Sequence, residues 1–254
     1  MKNIFYARAI KLTCVIAVTL ASFSNYLEGN AQTARTSIRY SAPKPPNPGA
    51  PRGRGRGGGS RGACKSYASL AALVPDQGTQ KFIWGQSASQ NPKFWFYVPE
   101  KLTGKLPIEF VLQDEADNYI YKTKFTPQAP AGVVSVTIKP TVALQPGKSY
   151  NWTFSIYCDP NKPSSSVFVR GSVTQVALNA TQNQQLQRLA PVMRAAFYAN
   201  NGMWHDALTT LGEQIQNSKR REPEVISAWT DLLTQTNLSN LATAPIIPCC
   251  QNKE

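Results

Sequence analysis

The chain has 254 residues, of which 42% are hydrophobic and 16% charged, with a formal net charge of +13 from 27 basic and 14 acidic side chains. Such a composition excludes a wholly disordered chain and leaves room for one domain or two small ones. The excess of cations points to anionic partners rather than to any particular fold.

The first thirty residues carry Lys2, Arg8 and Lys11, then an apolar run over 12–23, then small and polar residues ending in Gly29, Asn30 and Ala31. A basic start, a short apolar run and a small-residue exit describe a secretory signal peptide over 1–31, cleaved near Ala31. A membrane span needs about 20 apolar residues, more than this run supplies. Cys14 lies inside the run without a lipoprotein box before it. The expected location is therefore secreted or periplasmic, in the cell envelope.

Residues 32–63 follow as a Pro/Gly/Arg-rich segment, expected to be disordered because this composition cannot build a packed core. Between Arg35 and Lys65 there are eight basic residues and no acidic one, and the stretch P-R-G-R-G-R-G-G-G-S-R-G holds Arg52, Arg54, Arg56 and Arg61. Arg-Gly repeats suit RNA, since guanidinium groups pair with phosphate and stack on bases. For an exported chain the available polyanions are instead envelope phosphate, polysaccharide or lipid headgroups, and these four arginines are the expected contacts. A solvated linker with no partner is the plainer alternative.

Export changes the meaning of the cysteines. Cys64, Cys158, Cys249 and Cys250 remain after cleavage, and four cysteines in an oxidising compartment allow three pairings. The favoured pairing is Cys64 with Cys158, which ties the root of the cationic segment to the folded body; two buried free thiols are the alternative. Adjacent Cys249 and Cys250 are left free, bridged to another chain or metal-bound, and no second ligand pair with zinc spacing accompanies them.

Residues 64–177 alternate with a period of two. Strands are expected at 80–84, 93–98, 107–113, 118–125, 133–139, 150–158 and 167–176, bounded by turn residues. Phe94, Phe96 and Val98 oppose Trp95 and Tyr97, so that strand is apolar on both faces and is expected to be central or partly covered. Asp114, Glu115 and Asp117 sit in a polar hairpin connection. They lack the glycine and terminal glutamate of a calcium loop. Trp84, Trp95, Tyr97, Tyr119 and Tyr121 offer sugar-stacking rings, but at alternating spacing they are better explained as core.

Residues 178–242 change to a helical period. Thr181 is the expected cap of a helix running to Tyr198, interrupted at Pro191. A second helix is expected over 203–216, with Trp204, Ala207, Leu208, Leu211 and Ile215 on one stripe, and a third over 222–236 with Pro223 in its first turn. Gly202, Trp204 and Ala207 stand at the spacing of a tetratricopeptide hairpin, of which a single copy is present. Trp204, His205 and Asp206 are a possible partner surface for a protein. His205, the single histidine, lies beside Asp206, but neighbours on a helix do not face each other, so a catalytic pair is weakly supported. An exposed or capping role for the histidine is expected instead. No G-x-S-x-G nucleophile motif occurs. The Asn-x-Ser/Thr sequons at Asn151, Asn179 and Asn237 carry little weight in a bacterial envelope. Residues 243–254 are expected to form a flexible tail.

Two resemblances follow from these residues. Leu144-Gln145-Pro146-Gly147-Lys148-Ser149-Tyr150 ahead of an alternating strand resembles the tyrosine corner of immunoglobulin-like and fibronectin III-like domains, where the hydroxyl bonds backbone upstream. This implies a β sandwich of about seven strands, followed by a small helical region of about three helices. R-G-A-C at 61–64, L-A-A-L-V-P at 70–75, F-W-F-Y-V-P at 94–99, E-F-V-L at 109–112 and Y-A-N-N-G-M-W-H-D-A-L at 198–208 resemble the cyanobacterial domain of unknown function family numbered 928. That resemblance spans roughly residues 52–241 and implies an exported protein with no established activity. It supplies no catalytic residue, cofactor or metal to transfer, and it adds support to pairing Cys64 with Cys158.

The expected function is a non-enzymatic binding or structural module. Its cationic segment attaches to an anionic envelope component, and its folded part contacts a protein or a glycan. A periplasmic enzyme or polysaccharide-processing accessory is the rival, and RNA binding is a third reading for a chain that is not exported.

Overall fold

The computed structural model describes residues 37–44, 56–58, 62–75, 83–159, 161–162, 164–218, 220 and 222–250, with backbone alone at 56–58 and 62–63. The chain divides into two units, Met1–Arg35 and Thr36–Glu254, and every described residue belongs to the second. The expected signal peptide lies outside the described residues.

In chain order the elements are β1 (Arg56–Gly58), a 3-10 turn (Gly62–Tyr67), β2 (Ala71–Ala72), β3 (Trp84–Ser87), β4 (Lys93–Val98), β5 (Leu102–Thr103), β6 (Ile108–Gln113), β7 (Tyr119–Phe125), β8 (Gln128–Ala129), β9 (Gly132–Thr137), β10 (Ser149–Tyr157) and β11 (Ser166–Gln175). Four helices follow, α1 (Ala180–Arg188), α2 (Pro191–Asn200), α3 (Trp204–Asn217) and α4 (Pro223–Thr234), then a last 3-10 turn (Ser239–Leu241). The sheets are mixed rather than wholly antiparallel. One has the order β1-β11-β10-β6-β7, with β3 running parallel beside β11; a second has the order β2-β4-β9; β5 and β8 form a small pair.

The two larger sheets meet through rings. Phe96 stacks on Phe154 with centroids 4.1 Å apart, Phe94 lies 4.9 Å from Phe110, and Trp152 approaches Phe96 at 5.7 Å. All five of these side chains are buried. Each phenylalanine withdrawn from water contributes about 1.5–3 kcal/mol, so this inner layer is a large part of what holds the sheets together. Across the long antiparallel pair Trp152 faces Gly171, and any Cβ at 171 would run into the indole and the Ile83 carbonyl. Glycine is required there by contact.

The opposite face of β4 carries Trp95, and the helices cover it. Its indole nitrogen donates to Thr209 Oγ1 at 3.0 Å, and its ring meets Trp229 edge-on at 6.2 Å. Gly212 lets α3 settle on it, since a methyl at that position would lie 2.7 Å from the Trp95 ring. The second sheet is thus a middle layer, between the first sheet and the helices.

The described residues hold more strands than the expected seven. The additional ones, β1, β2, β5 and β8, are two or three residues long and arise from edge pairing, which carries no alternation of its own. The strand expected at 80–84 is instead Trp84–Ser87, placed by its parallel register on β11 and by the Trp84 indole donating to Thr174 Oγ1. There are four helices where about three were expected, because the chain breaks fully before Pro191, which begins α2. The first helix is capped by Asn179 and not by Thr181: the Asn179 side chain accepts from the Gln182 amide while Gln182 reciprocates, a capping box. The Tyr150 hydroxyl meets backbone upstream as expected, accepting from the Gln145 amide at 3.1 Å, but the mixed sheets and the strand count do not reproduce the expected seven-stranded sandwich.

Two segments expected to be loose are docked. Residues 37–44 form a strap on the helices: Ile38 is buried, Gln235 bonds the Ile38 carbonyl and the Tyr40 amide, and the Ser41 amide donates to the Ala199 carbonyl. Tyr40 also meets Trp204 edge-on at 5.0 Å. Together with β1 this corrects the expectation of disorder over the whole of 32–63. At the other end, the Val133 amide donates to the Pro245 carbonyl and the Ile247 amide to the Val133 carbonyl, so residues 245–247 cover the edge of β9. An uncovered strand edge invites pairing with other chains, and the tail closes this one.

Cys64 and Cys158 are joined as a disulfide, with Cα atoms 5.3 Å apart and a sequence separation of 94. Cys64 is buried, at the end of the cationic stretch. Cys249 and Cys250, expected to be free, bridged to another chain or metal-bound, are instead joined to each other, and they pack partly buried against the core. Cys158→Ser is expected to cost about 2–4 kcal/mol in urea denaturation, the usual worth of a bridge closing a long loop. Gly212→Leu is expected to cost about 1–3 kcal/mol through overpacking against Trp95. Unchanged urea midpoints in both variants would contradict the three-layer packing.

Candidate functional site

Where the middle sheet meets the helices at its β4 end, the layers part and leave a cleft of about 380 Å³. One wall is the loop 87–92 with the first residue of β4, Lys93, and its register partner Thr137 on β9. The other wall is helical. Arg194 and Tyr198 stand at i and i+4 on α2, and Asp206, Thr209, Thr210 and Glu213 follow the i, i+3, i+4, i+7 spacing on α3, so each set faces one way.

Asp206 joins the two walls. Its carboxylate accepts from the Ala88 amide at 2.7 Å, the Ser89 amide at 3.2 Å and the Ser87 hydroxyl at 3.2 Å. The loop is held from its other side by Gln175, whose amide nitrogen donates to the Ala88 carbonyl at 3.0 Å. Burial pushes the Asp206 carboxyl up to about 6, while the donors from 87–89 act in the opposite direction. Lys93 is nearly buried and forms an ion pair with the more exposed Glu213, while its ammonium lies over the Trp95 ring.

His205 turns away from Asp206. Its ring meets Phe94 edge-on at 5.3 Å and lies close against Gly85. It is 1% exposed, and neither ring nitrogen has a hydrogen-bond partner among the described residues. Burial pushes the ring down to about 4; the Lys93 backbone lies near enough to offset a small part of this. Arg194 donates through Nη2 to the Leu189 carbonyl at 3.0 Å, and its buried Nε has no partner among the described residues. Tyr198 is half-buried, and its hydroxyl is pushed above the usual phenol value by burial and then by the charge of Asp206, with Arg194 opposing.

The expected partner surface at Trp204, His205 and Asp206 is corrected by this geometry. Trp204 is fully buried, its indole donating to the Leu73 carbonyl at 2.7 Å, and His205 is core. Helix stripe positions that pack on a sheet are not available to a partner, and of the three residues Asp206 alone is not fully buried. The histidine is accordingly neither exposed nor a cap, and it forms no pair with Asp206. Arg52, Arg54 and Arg61 lie outside the described residues, and Arg56 is described by its backbone, which pairs with Val169 in β1. The Asp114 carboxylate is taken up by its own turn, accepting from Ala116 and Asn118. Of the aromatic candidates Trp84, Trp95 and Tyr121 are buried, and Tyr119 is 67% exposed on β7.

Lys93, Arg194, Tyr198 and Glu213 were not singled out in the sequence. A polar i, i+4, i+7 stripe on an otherwise apolar helix is the signal that marks the Asp206 to Glu213 face.

A family model described as Domain of Unknown Function (DUF928) matches residues 56–246. The chain belongs to the DUF928 family. The DUF928 match takes in both walls of the cleft, the Cys64–Cys158 bridge and, of the tail residues that cover β9, Pro245 and Ile246; the strap at 37–44 precedes it. No curated protein and no solved structure matches the chain.

The two buried ionisable groups set opposite responses to acid. His205 has a folded value near 4 against 6.5 unfolded, so the stability of holding it neutral is complete above 6.5 and is lost as pH falls through about 4. Asp206 has a folded value near 6 against 3.8, so the stability from its proton is complete below 3.8 and is lost as pH rises through about 6. Each slope reaches at most about 1.4 kcal/mol per pH unit. Asp206→Asn is therefore expected to lose stability on acidification from pH 6.5 to 4, and His205→Leu to gain it from pH 6 to 4, read from urea midpoints. Slopes of the same sign in both variants would refute the assignment.

Proposed function

We propose that this DUF928 protein is an exported, non-enzymatic attachment module of a bacterial, and by the resemblance cyanobacterial, cell envelope. The cationic segment holds an anionic surface component, and the folded body makes the specific contact. One observation carries the reading: eight basic residues and no acidic one between Arg35 and Lys65, against a net charge of +13 for the whole chain. Arg39 and Lys44, on the docked strap, are exposed, so docking leaves their charge available. The Gln145–Tyr150 contact supports kinship of the two-sheet body with immunoglobulin-like sandwiches. With Trp204 and His205 buried, a glycan contact is favoured over a protein docking on the helical hairpin.

The enzyme reading has the cleft in its favour, since a concave site with a carboxyl pushed up to about 6 is where acid–base chemistry is sought. Against it, the Asp206 oxygens are committed to three donors, and His205 is turned toward Phe94. No helix among the described residues is long and apolar enough to cross a membrane.

The strap changes how the attachment is tested, because deleting residues 35–62 would strip Ile38 and Tyr40 from the core. Substituting Arg52, Arg54, Arg56 and Arg61 together by Gln removes charge and leaves Ile38 and Tyr40 of the strap unchanged. Basic residues near an anionic surface contribute about 1 kcal/mol each. The quadruple variant is expected to bind envelope preparations at least tenfold more weakly and with a shallower salt dependence, measured by co-sedimentation. Retention and salt dependence equal to those of the parent protein would overturn the reading, and tighter binding to RNA than to envelope would replace it.

A further inference from the structure

We propose that the cleft between β4 and helices α2 and α3 binds a neutral, hydroxyl-rich ligand, a one- or two-residue sugar unit of a glycan. The inference deepens the glycan contact assigned above to the folded body and does not depend on the cationic segment.

Size comes first. About 380 Å³ is the scale of a small-molecule site and not of a macromolecular surface. Charge then narrows the class. The lining holds Lys93 and Arg194 against Asp206 and Glu213, so its formal charges cancel, and Lys93 is already paired with Glu213. An anion entering the cleft meets two carboxylates, and a cation meets two basic groups, so neither gains an uncompensated partner. Hydrogen-bonding groups remain. Ser89, Thr137, Tyr198, Thr209 and Thr210 line the cleft with hydroxyls; Thr210 has given its proton to the Asp206 carbonyl and can only accept, Ser89 and Thr209 each already accept one donor, and the set together both donates and accepts, which matches a ligand whose own hydroxyls do both.

The buried histidine points to a ligand independently of the charges. His205 lines the cleft at 1% exposure, and neither ring nitrogen has a hydrogen-bond partner among the described residues, although the backbone of Lys93 lies beside the ring. Buried polar groups in native proteins are almost always hydrogen-bonded, and an exception calls for an absent partner. A ligand hydroxyl suits either tautomer, since it accepts from the protonated nitrogen or donates to the bare one. The Nε of Arg194, on α2 in the same helical wall and without a partner among the described residues, adds a donor for a ligand oxygen.

The test uses the full chain, with glucose and cellobiose as neutral probes and glucuronate and glucosamine as charged counterparts, by calorimetry and thermal shift. The better neutral sugar is expected to bind at least tenfold tighter than either charged one. His205→Leu, which keeps the bulk and removes both nitrogens, is expected to weaken binding at least tenfold while melting no lower than the parent. Thr210→Met, which fills the cleft from the helix surface, is expected to abolish binding and decides the matter if the histidine variant does not fold. The proposal is overturned if glucuronate or glucosamine binds as tightly as the neutral sugars, if none of the four probes binds, or if Thr210→Met binds as the parent does. The quadruple arginine variant is expected to bind the sugar normally, so loss of sugar binding with intact salt-sensitive retention removes this inference and leaves the attachment reading standing.

Discussion

Aromatic side chains on both faces of one strand set the architecture. Residues Phe94 and Phe96 of β4 bury against the first sheet, and Trp95 between them projects the opposite way. A six-residue strand with such side chains cannot leave either face in water, so a second cover is required beyond the ordinary two sheets. The helices provide it, seated by the Trp95 indole on Thr209 and by the bare backbone of Gly212. Everything built on the helices, including the strap at 37–44 and the cleft, rests on that one packing demand.

The cleft is a by-product of the same arrangement. Where the loop 87–92 leaves the sheet, the aromatic layer gives way to polar residues and the walls are joined through a carboxylate. Asp206 spans the gap by accepting from three groups of the loop, in the first turn of α3 where a negative charge is favoured by the helix dipole. Lys93 and Glu213 bridge the walls a second time further along. The space between these two ties is held open by polar contacts, and this is why it is lined with hydroxyls.

Legibility in the sequence followed the strength of local pattern. The alternation at 93–98, 150–158 and 167–176 located β4, β10 and β11 to within a residue or so, and the apolar residues on both faces of β4 marked it as central or partly covered. The turn before Tyr150 was legible because its chemistry is local. Elements made by edge pairing were not, since β2, β5 and β8 have two residues each and no periodicity can be seen in two residues. The strap was hidden because Ile38 and Tyr40 are isolated apolar residues in a Pro- and Arg-rich context, and their burial depends on Gln235 and Trp204 far along the chain. The burial of His205 was hidden for a similar reason: it stands beside the charged Asp206 in sequence, while its neighbours in space are Phe94 and Gly85. A single polar letter on an amphipathic helix does not announce which side of the stripe boundary it occupies.

The strap and β1 together place both ends of the intervening cationic stretch on the body. Lys44 ends the strap on the helices, and Arg56 pairs through its backbone with Val169 of β11. Any force or ligand that draws the strap away must break the Gln235 and Ala199 contacts and uncover Ile38, so strap attachment and the stability of the helical layer are thermodynamically linked.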